Sequence, residues 1–159
     1  MANWCRNKVT FIGGQENLNK VLDLFNQMID NESKGSIGQI PYFIDSKSGH
    51  FADITQNKSN KYAFCYDTFW SPNFGILIQT ANHCNVDFIL DYEEYGLKLV
   101  GRTIYKNHIF KDCRLNMENF KGITYDTETD RFEFEGKTYG DDIEIIRILL
   151  ERKIALELS

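Results

Sequence analysis

Strand-like and helix-like segments alternate along this chain, and their order leaves few folds open. β-Branched and aromatic residues predict a strand over residues 5–12, and apolar residues at helical spacing predict a helix over 16–29. A second strand is predicted at 62–66. Ser71 is expected to cap a second helix. Pro72 suits the first turn of that helix, because its missing N–H would be unpaired there anyway.

Three more strands, a hairpin and a long helix are expected after the second helix. The order β-α-β-α-β-β predicts an α+β fold, in which helices pack on one face of an antiparallel sheet. Asp141 and Glu144 form a capping-box pattern at the start of the last helix. The predicted ranges are 86–92, 97–105 and 108–115 for the strands, 123–125 and 132–135 for the hairpin arms, and 142–158 for the helix.

Size and composition indicate one globular domain. The chain has 159 residues, of which 42% are hydrophobic and 26% charged, as is usual for such a domain. The domain is expected to span residues 1–159, with a long polar insertion at about 30–60 and a C-terminal extension at about 111–159. A formal net charge of −5 argues against a generally basic nucleic-acid-binding protein. Neither a membrane span nor a secretory leader is predicted, which indicates a cytoplasmic protein.

The spacing of cysteines and histidines gives little support to metal or thiol chemistry. None of them lies in a C-x-x-C, H-x-x-x-H or H-x-E pattern, so no metal and no cofactor are predicted. His83 beside Cys84 would suggest an activated thiolate, but adjacent residues rarely reach the geometry this needs. The cysteines are therefore expected to be reduced structural thiols, with a metal or redox role as the alternative. They are Cys5, Cys65, Cys84 and Cys113.

Two further patterns have simple structural explanations. The alternate carboxylates of residues 126–130 resemble the start of a calcium loop, but Arg131 stands where that loop needs glycine and Lys137 where it needs glutamate. A solvated hairpin tip is therefore expected. Trp4 and Trp70 are expected to anchor the core, and a stacking platform for a nucleic-acid base is the alternative.

The one local excess of positive charge lies in residues 98–121, which carry six Lys or Arg against two Asp or Glu. Paired basic strands with nearby aromatic residues could follow a phosphate backbone. The alternative is a solvated sheet edge, where lysine discourages pairing with another chain. The RNP aromatic motif of RNA-binding domains is missing, which weakens direct base readout. The candidate binding residues are Lys98, Arg102, Tyr105, Lys106, Lys111 and Arg114.

Several short motifs resemble those of one family, the YubB-like ferredoxin-like proteins of phages, plasmids and other mobile elements. Members typically begin Met-Pro-Asn-Trp-Cys-x-Asn, and this chain differs there only in Ala2, which replaces proline. The resemblance covers about residues 1–110. It implies a ferredoxin-like fold and a mobile-element protein in a host cell, and it implies no catalytic residues. The matching residues are Asn3, Trp4, Cys5, Asn7, Trp70, Pro72, Tyr92, Glu94, Gly96, Gly101 and Tyr105.

Three functions remain open on the sequence. The leading hypothesis is a non-enzymatic accessory protein that binds and inhibits a host nucleic-acid-processing or defence complex, as an anti-CRISPR inhibitor does. Its partner would be a host protein or ribonucleoprotein, because acidic surfaces compete for channels that hold nucleic acid. The second is an RNA- or single-strand-binding module that uses strands 98–114. The third is a small enzyme, which would need His108, Cys113 or carboxylates gathered in one pocket.

Overall fold

The computed structural model describes residues 3–158, so Ala2 lies outside the described part. Two short 3-10 helices, Tyr95–Leu97 and Met117–Phe120, lie between the main elements. In chain order the elements are β1 Trp4–Ile12, α1 Gln15–Ser33, β2 Ala52–Gln56, β3 Ala63–Phe69, α2 Phe74–Cys84, β4 Asp87–Glu94, β5 Leu99–Lys106, β6 Ile109–Arg114, β7 Thr124–Asp126, β8 Arg131–Phe134, β9 Lys137–Tyr139 and α3 Ile143–Glu157.

The main sheet has the order β2-β3-β1-β4-β5-β6, and all of its pairs are antiparallel. The first six elements therefore form a βαββαβ unit with sheet order β4-β1-β3-β2, which is the ferredoxin-like arrangement. Strands β5 and β6 extend the sheet beyond β4. A separate three-stranded sheet, β7-β8-β9, precedes α3. The predicted α+β class, the antiparallel sheet and the C-terminal hairpin and helix are confirmed.

The main core lies between one face of the sheet and helices α1 and α2. Alternate residues of β1 point into it, because successive side chains of a strand leave opposite faces. Val9 and Phe25 are fully buried, and the Phe25 ring stacks on Phe64 with centroids 4.3 Å apart. Full burial of one such side chain stabilises the fold by about 1.5–3 kcal/mol.

Helix α3 packs on the opposite face of the sheet. Ile146 and Leu150 contact Val100 of β5, together with Leu115 and Phe120, to form a second and smaller core. This helix reaches only the β5–β6 end of that face, where its sheet contacts lie. The part of the same face formed by β1 and β3 is left outside the second core.

The predicted polar insertion at 30–60 contains structure that the sequence pattern missed. Strand β2 lies within it and pairs with β3, Gln39 forms an isolated bridge with Phe51, and Phe51 and Ile44 are buried in the main core. Strand β2 reads Ala-Asp-Ile-Thr-Gln, in which two strand formers, Ile54 and Thr55, stand among residues that are depleted in strands or neutral. The edge pairing with β3 therefore decided its conformation.

Two predictions about helix starts had different outcomes. Helix α2 begins at Phe74 with Asn73 at the N-cap, so Ser71 is not its cap. The Asn73 side chain instead accepts a hydrogen bond from Tyr66 and donates one to the Gly49 carbonyl. At α3 the N-cap residue is Asp142, which makes no side-chain cap bond. The predicted Asp141, one residue earlier, bonds the first turn instead, because its Oδ1 accepts the N–H groups of Ile143 and Glu144 at 3.1 and 3.3 Å.

Within residues 3–158, every helix is either too short or too polar to cross a lipid bilayer.

Candidate binding surfaces

Two aromatic side chains form an exposed stacked pair on the open part of the second sheet face. Trp4 of β1 lies opposite Phe69 of β3 in the strand register. Their ring centroids are 4.1 Å apart with an interplanar angle of 29°, and 43% of Trp4 and 55% of Phe69 remain exposed. Neighbouring cross-strand aromatics stabilise a sheet, but here both rings also offer a free surface.

Trp70 follows Phe69 in the chain and lies in a strained turn. Its φ is +66°, and the N–H of Ser71 donates to the Phe69 carbonyl at 2.8 Å. A hydrogen bond from residue i+2 to residue i, with a positive φ at the residue between them, defines the classic γ-turn, which is rare and strained. The Trp70 N–H donates to the Asn3 carbonyl, and half of the residue is exposed. We call the stacked rings of Trp4 and Phe69 the aromatic cluster; Trp70 follows Phe69 directly in the chain.

The prediction that both tryptophans anchor the core was wrong. Trp4 lies next to buried Cys5, so the alternation of the strand places the Trp4 side chain on the other face. Trp70 follows the last residue of β3 and belongs to neither the strand nor α2. The core positions near the two tryptophans hold Cys5 and Thr68 instead.

A buried amide connects the strands that carry the aromatic cluster. Asn7 is fully buried, and its Nδ2 donates to the Cys5 carbonyl at 2.8 Å and to Thr68 Oγ1 at 2.9 Å. Thr68 in turn donates to the Ser71 carbonyl. These bonds fix β1 against β3 and against the turn at Trp70, so the aromatic cluster stands on a rigid base.

Two cations lie on the same strand face as Trp4. Arg6 has a side chain that is 73% exposed and lies 3.9 Å from Asp67. Lys8 is exposed and makes no ion pair within residues 3–158. Both line a cleft of about 520 Å³ that separates the open sheet face from α3. Further cations at the far side of this cleft are Arg102 and Arg147.

The structure separates the predicted basic surface into parts with different surroundings. Arg102 is held by Asp91 at 2.6 Å and approaches Glu151 at 3.6 Å, and these contacts raise its pKa further. Arg114 is paired with Asp112 at 2.9 Å. Their charges are therefore largely neutralised where they stand.

The remaining predicted residues do not form one surface either. Tyr105 is buried in the main core, where it stacks on Phe88, because it lies on the opposite face of β5 from Arg102. Lys98 lies over the Phe120 ring. Lys106 and Lys111 are exposed. The binding role of the whole set stays a prediction, but Tyr105 cannot present its ring to a ligand.

The acid excess of the protein is concentrated in residues 126–144, which we call the acidic segment. It contains eight Asp or Glu and two Lys or Arg, whereas the other 15 carboxylates and 16 cations of the chain nearly cancel. It comprises β8, β9, the end of β7 and the start of α3. Six of its eight carboxylate residues are exposed, so the segment presents a strongly negative surface.

Residues 126–130 form a hydrogen-bonded turn. Asp126 accepts bonds from the Glu128 N–H at 2.9 Å and from the Thr129 hydroxyl at 2.7 Å, which lower its pKa. Both oxygens of the Asp126 carboxylate therefore stabilise the turn of the β7–β8 hairpin. Across the part of the chain that the structure describes, no three His, Cys, Asp or Glu side chains are grouped as metal ligands would be.

The cysteines and histidines considered as reactive groups do not form a common site. Burial raises the pKa of Cys84, which is the opposite of activation, and the ring of His83 stacks on Phe43 at 3.7 Å. His108 Nδ1 lies 3.1 Å from Asn82 Oδ1. Cys113 is buried on the other face of β6, beside α3. His108 and Cys113 therefore do not share a pocket.

Comparison with known proteins identifies part of this architecture. Residues 49–141 match the family model described as the ferredoxin-like domain in Api92-like protein. No curated protein and no solved structure matches the chain. The matched region runs from the bridge before β2 to Asp141 before α3, and it includes most of the acidic segment. The extent of the domain, residues 1–159, stays a prediction.

Proposed function

We propose that this chain, which belongs to the family of ferredoxin-like domains in Api92-like proteins, is a binding protein without catalytic activity. Its short motifs support a YubB-like origin in a phage, a plasmid or another mobile element. In the host cell it binds and inhibits a nucleic-acid-processing or defence complex, as an anti-CRISPR inhibitor does. The partner is a host protein or a ribonucleoprotein.

The observation that carries this proposal is the segregation of charge. The acidic segment holds the entire negative excess of the chain on an exposed sheet and helix start. Channels that bind nucleic acid are lined with Lys and Arg, and complementary potentials accelerate association and select the partner. A compact negative surface can therefore occupy such a channel and exclude the nucleic acid.

Not every carboxylate of the segment is free for this role. Glu135 is engaged by Arg152 through two contacts of 2.6 and 2.8 Å, and Asp126 and Asp141 close local turns. Glu128, Glu133 and Glu144 are exposed and make no ion pair within the described residues. These three side chains are the ones expected to meet cations of the partner.

The test neutralises those three charges. The variant Glu128→Gln, Glu133→Gln, Glu144→Gln is compared with wild type as bait in nuclease-treated lysate of a defence-competent host. The captured complex is then purified, and displacement of its labelled nucleic acid is titrated. We expect wild type to displace the nucleic acid and the variant to require at least about tenfold more protein, because three charge pairs are lost.

The matched control removes three exposed carboxylates elsewhere: Glu16→Gln, Asp23→Asn, Asp45→Asn. It should displace nucleic acid as well as wild type, which separates the role of the acidic segment from that of net charge. The proposal is wrong if no stoichiometric partner survives nuclease treatment. It is equally wrong if the neutralised variant displaces nucleic acid as efficiently as wild type.

A further inference from the structure

We propose that the open face of β1 and β3 binds single-stranded nucleic acid, whose bases stack on the aromatic cluster while Arg6 and Lys8 contact phosphates. This site uses residues outside the acidic segment and does not depend on the proposed inhibitor function. The sequence pattern predicts single-strand binding by strands 98–114. The present site instead lies on β1 and β3, on the opposite side of the cleft beside α3.

The aromatic cluster has the chemistry of a base-stacking platform. Base stacking on an aromatic side chain tolerates any sequence, because each base has a π face. Trp4 and Phe69 are stacked on each other and are both about half exposed. Trp70, the residue after Phe69, is half exposed and has a backbone conformation that bulky residues seldom adopt. Such strain persists where the surrounding structure holds it and clusters at ligand-binding sites.

Two cations suited to phosphate contacts, Arg6 and Lys8, lie beside the aromatic cluster, among carboxylates that oppose them. Trp4, Arg6 and Lys8 occupy alternate positions of β1, so they follow one another along one face. Asp67 is the carboxylate nearest Arg6, at 3.9 Å. Exposed Asp53 of β2 acts on Asp67, whose pKa is raised chiefly by burial and further by this neighbouring charge. Glu151 of α3 also lines the cleft and approaches Arg102. Two more carboxylates of this face have partners of their own. Asp91 is bound to Arg102, and Glu93 accepts the Tyr95 hydroxyl at 2.7 Å.

The nucleic acid can continue from the aromatic cluster into the neighbouring cleft. The cleft starts at Arg6 and Lys8 and continues between the sheet and α3 towards Arg147. Its volume of about 520 Å³ lies in the size range of small-ligand sites. A duplex has its base faces already stacked, so the platform favours a single strand.

Trp4 lies in this site, so the part of the intrinsic fluorescence that the variant Trp4→Phe removes reports on it directly. An oligothymidylate of about ten nucleotides is titrated into the full chain at low salt, and quenching is followed. The same titration is repeated with a duplex. We expect quenching by the single strand and weaker binding of the duplex.

Variants identify the residues that carry the binding, measured by anisotropy of the labelled oligonucleotide. Trp4→Ala and Phe69→Ala should each weaken binding by roughly 5- to 100-fold, and Trp4→Phe should restore most of it. Lys8→Gln should reduce the slope of log K against log salt by about 0.7. The matched control Tyr42→Ala removes an aromatic residue that is 77% exposed in a different region, and it should bind as wild type does.

The outcomes separate this proposal from the inhibitor function. Absence of quenching by the oligonucleotide overturns the single-strand site, as does equal binding by Trp4→Ala and Tyr42→Ala. If wild type does not bind the oligonucleotide and Trp4→Ala no longer captures the host complex, this face is a protein interface. That result also overturns the single-strand site. The variant neutralised in the acidic segment should bind the oligonucleotide at least as tightly as wild type.

Discussion

A single residue's position in β1 decides whether its side chain enters the core or faces the open side of the sheet. Cys5 and Asn7 point into the core, and Trp4 and Arg6 point away from it. A shift of one residue would reverse every assignment. Hydropathy alone would place Trp4 in the core and Asn7 at the surface. The structure shows the opposite, with Trp4 exposed and Asn7 buried. The register with β3 and β4 overrides the preference of the individual side chains.

Burial should make most of the thiols unreactive. Desolvation raises the pKa of Cys5 to about 12 and that of Cys113 to about 11. The thiolate is the reactive form, so at pH 8 only about one Cys5 in ten thousand is ionised. We expect iodoacetamide to modify half-buried Cys65 first, and Cys5 labelling to accelerate as the pH rises towards its pKa. Peptide mass spectrometry measures each site.

The denatured protein provides the control for that experiment. In guanidinium chloride all four cysteines should be labelled at similar rates, because the desolvation that raises the pKa is lost. Labelling of native Cys5 at the rate of Cys65 at pH 8 would contradict the prediction.

At the scale of elements, hydrogen bonds between side chains hold β1 against β3. Removal of the Asn7 amide leaves the Cys5 carbonyl and the Thr68 hydroxyl without this donor. We expect Asn7→Ala to lower the free energy of unfolding by about 1–3 kcal/mol. Asn7 Oδ1 has no partner within residues 3–158, and its removal offsets part of that loss. Urea unfolding with an unchanged m-value measures the effect.

A double-mutant cycle with Thr68→Val isolates the contact between the two side chains. The paired variant should lose less stability than the two single variants together, since the second substitution finds the bond already broken. Strict additivity would show that Asn7 and Thr68 do not stabilise each other.

Local patterns predicted the elements whose own residues favour them. The strands at β1, β4 and β5, and the helices α1 and α3, have periodic apolar residues, and their predicted positions agree with the structure within a few residues. Strand β2 lacks such a pattern and forms because β3 offers it an edge. The predicted start of α2, with Ser71 as its cap, was two residues too early. Ser71 lies in the turn that follows Trp70, and the N-cap is Asn73.

At the scale of the whole molecule, the two cores are expected to unfold with different ease. Ile146 is buried in the small core of α3, and Val21 is buried in the main core. Either substitution by alanine creates a cavity that costs about 1–4 kcal/mol. We expect Ile146→Ala to increase amide exchange in α3 and at residues 115–123, and to leave β1 and β4 protected. Mass spectrometry of deuterated peptides measures this.

Val21→Ala is the matched control and should increase exchange throughout the main sheet. An equal loss of protection in β1 and α3 on Ile146→Ala would show that the two cores unfold as one unit, contrary to this prediction.

The sequence by itself determined the α+β class, the positions of β1, β4, β5, α1 and α3, the carboxylate of Asp141 at the start of α3 and the segregation of acid in residues 126–144. Each depends on residues that are close along the chain. Tertiary structure alone decided that Trp4 and Phe69 form an exposed stacked pair, that Arg102 is paired with Asp91, and that Tyr105 is buried. The physical reason is that strand register and helix docking depend on contacts between distant residues, which no local pattern contains.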